Sequence, residues 1–241
     1  GNPDDVVLNN PLPFRIGPLG IPKDFHPLKG PMTTQSLRGM ANHGPMHWRG
    51  DRSGANDVPF KPFDAKAAFL HFIVAFEGLL GRSGPIPDQM MEEFADFILE
   101  VRYPPNPIRN LDNSLTPEQQ AGRDFFFKPE PSDVFQTCNG CHVLNPEAGF
   151  FGSDGRSSFE FETQLLKIPH LRNMYQKVGM FGMPANDFIN GGDNDHKGDQ
   201  VRGFGFLHDG SVDTLFSFLG VGLFQLNDTE QANIEQFLLA F

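Results

Sequence analysis

The chain has 241 residues, 39% of them hydrophobic, and a formal net charge of −11, which is enough polypeptide for one large or two small domains. The acidic balance argues against nucleic acid and against anionic lipid as partners and suits a basic partner surface. No run approaches the ~20 apolar residues of a membrane-spanning helix, so no membrane span is expected. The two cysteines, Cys138 and Cys141, are too close for an ordinary structural disulfide.

Aromatic content is almost entirely apolar, with 26 Phe against two Tyr and one Trp, and 26 Gly with 21 Pro imply long loops. Gly1-Asn2-Pro3-Asp4 reads as a mature or internal start, with no signal peptide among these residues. Residues 1 to 36 are rich in Pro and Gly, without a clear period, and read as extended loop. From Asp64 to Leu80, Phe69, Phe72, Ile73, Phe76, Leu79 and Leu80 fall at helical spacing, with Asp64 as N-cap. A second helix is expected over 86 to 102, capped by Asp88 and striped by Met90, Met91, Phe94, Phe97, Ile98 and Val101. Tyr103-Pro104-Pro105-Asn106-Pro107 stops it, because proline lacks the amide donor and clashes with the preceding turn. Thr116, Pro117 and Gln119 form a capping-box start for a helix running to about Phe127. Thr229 to Phe241 reads as a closing helix, with Ile234, Phe237 and Leu238 on one side. Strand signals are scarce, so the expected class is mostly α with long loops.

An internal repeat divides the chain. Leu37-Arg38-Gly39-Met40 matches Leu171-Arg172-Asn173-Met174, and Met46 then falls on Met180 without a gap. Phe94 to Leu99 likewise matches Ile234 to Leu239. Residues 111 to 241 hold a capped helix, CxxCH, the Leu-Arg-Asn segment, a Met and a closing helix. Residues 1 to 110 hold only the later parts, and their own CxxCH would lie before Gly1, either upstream or on another chain.

Cys138-Asn139-Gly140-Cys141-His142 carries the chemistry. Two thiols at this spacing can add to the two vinyl groups of haem, and the following His reaches the iron. The rivals are buried thiols beside a chance His, or zinc; zinc wants four ligands and there is no second Cys pair.

Downstream, Lys167-Ile168-Pro169-His170-Leu171-Arg172-Asn173 and Gly203-Phe204-Gly205-Phe206-Leu207-His208-Asp209-Gly210-Ser211-Val212-Asp213-Thr214-Leu215 resemble the di-haem cytochrome c peroxidase family, over about residues 33 to 52 and 114 to 241. That resemblance implies class-I-like cytochrome c domains: here one partial (1–110) and one complete (111–241). It implies that Pro169 and Leu171 line the proximal haem face, with a carbonyl there accepting from the His142 ring, and that Arg172 pairs with a propionate. A buried propionate needs a cation, and Arg offers a bidentate fork; the alternative is a surface Arg.

For the sixth iron ligand Met180 is preferred, since it follows the Leu-Arg-Asn segment and has a counterpart in Met46; Met183, Met174 and His208 are rivals. His208 reads first as a turn residue, because Asp209-Gly210 demands a turn. Met46, His47, His43 and His26 either surround a second haem, which the repeat favours, or are loop residues. Asp193 to Asp199 is rich in oxygen ligands. Calcium is the alternative there to a solvated loop, because the loop lacks a defined calcium spacing.

The expectation is a c-type cytochrome with haem c iron held by His142 and Met180, passing single electrons to a redox partner protein from the periplasm or cell surface. Whether it is an enzyme stays open. One alternative is a di-haem peroxidase or oxidase; the other is a haem subunit of a larger redox assembly or filament. The family's electron-transfer Met lies after the His-Asp-Gly segment, and this sequence has no Met beyond Met183, which favours the carrier.

Overall fold

The computed structural model describes residues 15–16, 32–44, 46–48, 63–133, 136–154, 157–159, 165–179 and 203–241. In chain order the elements are β1 (Arg15–Ile16), α1 (Ala65–Leu70), a 3-10 turn (His71–Val74), α2 (Ala75–Gly78), α3 (Asp88–Glu100), α4 (Pro117–Phe126) and the single turn α5 (Cys138–Cys141). Then follow β2 (Leu144–Asn145), β3 (Phe150–Phe151), β4 (Ser157–Phe159), β5 (Leu165–Lys167), α6 (Leu215–Leu219) and α7 (Asp228–Leu239). Among the described residues helix outweighs strand, and each strand has two or three residues. No helix among the described residues is long and apolar enough to cross a membrane.

The chain divides into two compact units. One comprises Gly1–Gly30, Gln35–Tyr103 and His142–His170; the other comprises Pro31–Thr34, Pro104–Cys141 and Leu171–Phe241.

In the first unit Asp64 caps α1, its Oδ1 accepting from Ala67 N at 2.9 Å. The helix expected to run on to Leu80 instead tightens into the 3-10 turn before α2, and Leu79 and Leu80 end up exposed. α3 starts at its expected cap residue, one position earlier than a cap there would give: Pro87 holds the cap position, and Asp88 lies in the first turn, where its charge favours the helix dipole. α1 and α3 pack through Ala68, Phe69, Met91, Ala95 and Ile98, joined by Met40, Met46 and Ile86. β4 pairs antiparallel with β5 and parallel with β1, while β2 and β3 form a hairpin.

In the second unit Thr116 and Gln119 form the capping box of α4, with Pro117 in its first turn. A second box, Asn227 with Glu230, starts α7. α4 lies directly on α7. A Cβ at Gly122 would stand 2.0 Å from the Asn233 carbonyl oxygen, so only glycine permits this approach. Phe126 packs on Phe237 with ring centres 5.7 Å apart.

The two units repeat one backbone pattern. Gly39 and Asn173, each following a Leu-Arg pair, have φ of 63°. His47 and Leu207 have φ of 65° and 62°. The carbonyl after each takes a backbone N–H from the residue four before a Leu-Arg pair: Lys167 N to Trp48 O at 2.9 Å in the first unit, Thr33 N to His208 O at 2.8 Å in the second. Thus each unit's turn is paired by the lead-in segment of the other repeat. A short capped helix (α1 or α6) and a closing helix (α3 or α7) follow in both.

Candidate haem-attachment site

Cys138 to Cys141 form one helical turn of the second unit, α5. Its entry is fixed by short-range bonds. Asp133 Oδ1 accepts from Gln136 N, Ser132 N donates to Gln136 O at 3.0 Å, and Thr137 Oγ1 accepts from Gly140 N at 2.8 Å. Neither cysteine is in a disulfide, and both are of intermediate exposure. Buried Ser132 holds its Oγ 3.3 Å from Cys138 Sγ. Burial pushes the Cys138 thiol above its ordinary ionisation range; the Ser132 contact and the Lys128 charge oppose the shift without reversing it.

His142 opens the part of the first unit that contains the two-stranded hairpin. Pairing of Leu144 with Phe151 and Asn145 with Phe150, through a turn closed by Gly149 at φ 83°, returns the chain to His142. Gly152 N donates to Val143 O at 2.9 Å, and the Gly152 carbonyl lies 3.1 Å from His142 Nδ1. β5 then leads to Pro169, whose carbonyl is also 3.1 Å from Nδ1. Carbonyl oxygens only accept, so Nδ1 carries the proton and Nε2 is the lone-pair nitrogen of the neutral ring. A carbonyl partner on the distant nitrogen fixes the tautomer and orientation that metal-ligating imidazoles need.

The other expected residues are placed as follows. Leu171 is buried in the second unit; Arg172 and Pro169 are of intermediate exposure. His208 is buried within a turn in which Asp209 Oδ1 accepts from Ser211 N at 2.9 Å, as the Asp-Gly pair requires. Met174 is buried at the start of a 3-10 turn. Met46 is buried in the apolar cluster of the first unit, and His43 stacks on His170 with ring centres 4.6 Å apart. Met180, Met183, His26 and the Asp193–Asp199 loop lie outside the described residues. Among the described residues no three or more His, Cys, Asp or Glu side chains gather to hold a bare metal ion.

Sequence reasoning did not name Ser132, Thr137 or Gly152. Ser132 and Thr137 act through short-range turn bonds upstream of the motif. Gly152 becomes visible only once the hairpin turn at Asn145-Pro146 and Gly149 is recognised.

The residues suit a covalently attached haem: two thiols on one helical turn, neither in a disulfide, followed at once by an imidazole whose Nδ1 faces two carbonyls. The class these elements define, among the described residues, is a partly helical protein with few and short strands and an internal repeat. No protein-family model matches the chain, and no curated protein matches it. Its fold is similar to that of a chain in a structure titled Kuenenia stuttgartiensis hydrazine synthase pressurized with 20 bar xenon. The TM-score is 0.56 and the identity 17%, over 87% of this chain and 72% of that one.

Proposed function

We propose that the chain is a c-type cytochrome, related to the di-haem cytochrome c peroxidase family, that holds haem through Cys138, Cys141 and His142 and transfers single electrons. The observation that carries this reading is the His142 ring, with Nδ1 committed to the Pro169 and Gly152 carbonyls and the lone pair left on Nε2. Bound haem would supply reversible one-electron iron chemistry. The chain's own residues do the rest. Cys138 and Cys141 would form the thioether links, and His142, whose Nδ1 faces the two carbonyls, would hold the iron; Pro169 and Leu171 are the residues the family resemblance assigns to the proximal face of the haem, and Arg172 the one it assigns to a propionate. Met180 would be the second iron ligand, and a thioether would favour the reduced metal relative to a second imidazole. A second haem near Met46 and His47 belongs to the same reading, as does a periplasmic or cell-surface location, where covalent haem attachment takes place in bacteria.

A second reading, a haem subunit of a larger redox enzyme, draws on the fold shared with the hydrazine synthase chain. Intact mass and the absorption spectrum of the denatured protein test the first requirement of both. One haem should remain bound through acid–organic extraction and be lost when both Cys138 and Cys141 are changed to Ala. A chain of bare polypeptide mass with two free thiols would falsify the proposal. Slow reaction with hydrogen peroxide separates the carrier from the enzyme, because a six-coordinate iron has no open position.

A further inference from the structure

His142 Nδ1 has one proton and two carbonyl acceptors, on Pro169 and Gly152, each at 3.1 Å. A peptide group is planar, so each carbonyl turns only together with the amide of the residue that follows it. The Pro169 carbonyl shares its plane with the His170 amide, and the Gly152 carbonyl with the Ser153 amide. Gly152 has no side chain to hold it and sits at φ 97°. What fixes His170 and Ser153 therefore fixes both acceptors. Both residues are buried. The His43 ring, also buried, stacks on the His170 ring with centres 4.6 Å apart and planes at 22°, and Tyr103 flanks His170 at 6.4 Å. Next in the chain, Gly44 lies against Ser153: an added Cβ would stand 2.7 Å from the serine Oγ and 3.1 Å from its Cβ. Gly44 is also at φ 84°, so glycine is required there twice over. Two further contacts bind the same stretch to the same loop. Asn42 Cγ lies 3.9 Å from the place a Cβ on Gly149 would take, and Trp48 O accepts from Lys167 N at 2.9 Å. All these residues belong to the first unit.

We propose that His43 and Gly44 are positioning residues for His142: by gripping His170 and Ser153 they hold the two peptide planes whose carbonyls share the Nδ1 proton, and so set the donor strength of Nε2 toward haem iron. This rests on the haem reading above and adds to it what tunes the ligand. A hydrogen bond from the distant ring nitrogen fixes the orientation of a ligating imidazole and raises its basicity. One proton shared by two acceptors depends on both, so withdrawal of either plane swings the ring and weakens the bond. The stacked ring of His43 restrains rotation of His170, and the Gly44 contact bars Ser153 from moving inward. The repeat shows that the ring pair is not a demand of the fold. The match of Leu37 with Leu171 places His43 on Lys177 and His170 on Ser36, neither of which has a ring to stack. The turn backbone is nevertheless the same, with φ of 63° at both Gly39 and Asn173. The imidazole pair thus stands on the one loop whose carbonyls face His142.

The test uses haem-loaded protein and compares His43→Ala, His43→Phe and, as a control for lost packing in the same unit, Met91→Ala; Met91 is buried between α1 and α3. Two quantities are read: the exchange of the His142 Nδ1 proton with water, by NMR of the reduced, ¹⁵N-histidine-labelled protein, and the reduction potential. His43→Ala should speed the exchange by about tenfold or more, because the carbonyl planes open more often. It should also raise the potential, because a less basic imidazole stabilises oxidised iron less. His43→Phe keeps a ring on His170 and should restore both quantities to the parent values. Met91→Ala should lower the urea midpoint while leaving both quantities where they were. Unchanged exchange in His43→Ala, a Phe variant that behaves like the Ala variant, or equal shifts in Met91→Ala would each overturn the proposal. Haem mass on the Cys138–Cys141 peptide is read in the same samples. Its absence from the parent protein would overturn the haem reading and this role with it, whereas haem present with unmoved exchange would overturn the role of His43 and Gly44 alone.

Discussion

The Cys138 thiol is enclosed beside Ser132, so its ionisation above the ordinary range follows from desolvation of the thiolate. In haem-free protein, alkylation of Cys138 by iodoacetamide should have its pH midpoint above that of a free cysteine. Ser132→Ala should move it higher still, because the serine contact is among the groups holding it down. A midpoint at or below the free-thiol value would show that the site is electropositive rather than desolvating. Lys177 carries the opposite sign of the same physics: burial lowers its ammonium from 10.5 to about 8, although the residue as a whole is only half-buried by area. Between those two pH values the unfolded chain binds more protons than the folded one, so stability rises with pH across that window, and the penalty is present in full below about 8. Lys177→Met should therefore stabilise the protein by ~1–3 kcal/mol at pH 7, and the gain should shrink as pH passes 10. Urea unfolding at pH 7 and pH 10 measures both; a gain that grows with pH contradicts the assignment.

Among the elements, the α4–α7 contact is the tightest approach described, and Gly122 sets it. Gly122→Ala would force the helices apart or abolish the Phe126–Phe237 contact, at a cost of ~2–4 kcal/mol by urea unfolding. Gly78→Ala in α2, where an added Cβ meets nothing within 4 Å, should be neutral or stabilise by ~0.5–1 kcal/mol. Equal losses at both positions would mean that helix propensity, not the crossing, governs Gly122. These elements were legible to different depths, for physical reasons. The α4 box is written in four consecutive residues, so Thr116, Pro117 and Gln119 announce it. The α7 box, Asn227 to Glu230, carries the same local signal, but reading the helix from Thr229 passes over it. The break between α1 and α2 has no local signal. Phe69, Phe72, Ile73 and Phe76 keep helical spacing through it, and the stripe runs on to Leu79 and Leu80, which the fold leaves exposed. The Leu-Arg repeat was legible, and so was the register of the closing helices. The gapless match of Met46 with Met180 follows a different register from the backbone, in which Met46 precedes His47 as Phe206 precedes Leu207, and a long insertion separates the two alignments. The CxxCH residues were readable from spacing alone. The second carbonyl on His142, from Gly152, required the hairpin fold and could not be read from the motif.

At the scale of the whole molecule, charge governs what approaches. Thirty acidic residues against nineteen basic ones leave −11, and α3 adds exposed Glu92, Glu93 and Glu100 around its Met90–Phe97 face. The Debye length is ~30 Å at 0.01 M ionic strength, comparable to the protein itself, so an approaching reagent responds to the summed charge rather than to any one side chain. At 1 M it falls to ~3 Å and only immediate neighbours matter. If the protein exchanges single electrons, its rate with a small cationic couple such as hexaammineruthenium should exceed its rate with anionic ferro/ferricyanide at low salt, after correction for driving force, by on the order of tenfold or more. Added sodium chloride should slow the first and speed the second until the two converge. This separates two contributions that a partner protein would combine, because long-range steering disappears with salt while the burial of apolar surface does not. Phe97→Asp should therefore leave the salt dependence with both small reagents nearly unchanged, since one charge is a small addition to −11. Stopped-flow rates from 0.01 to 1 M salt provide the measurement. A preference for the anionic couple at low salt would mean that the surface at the electron-exchange edge is basic, and would remove the argument for a basic redox partner.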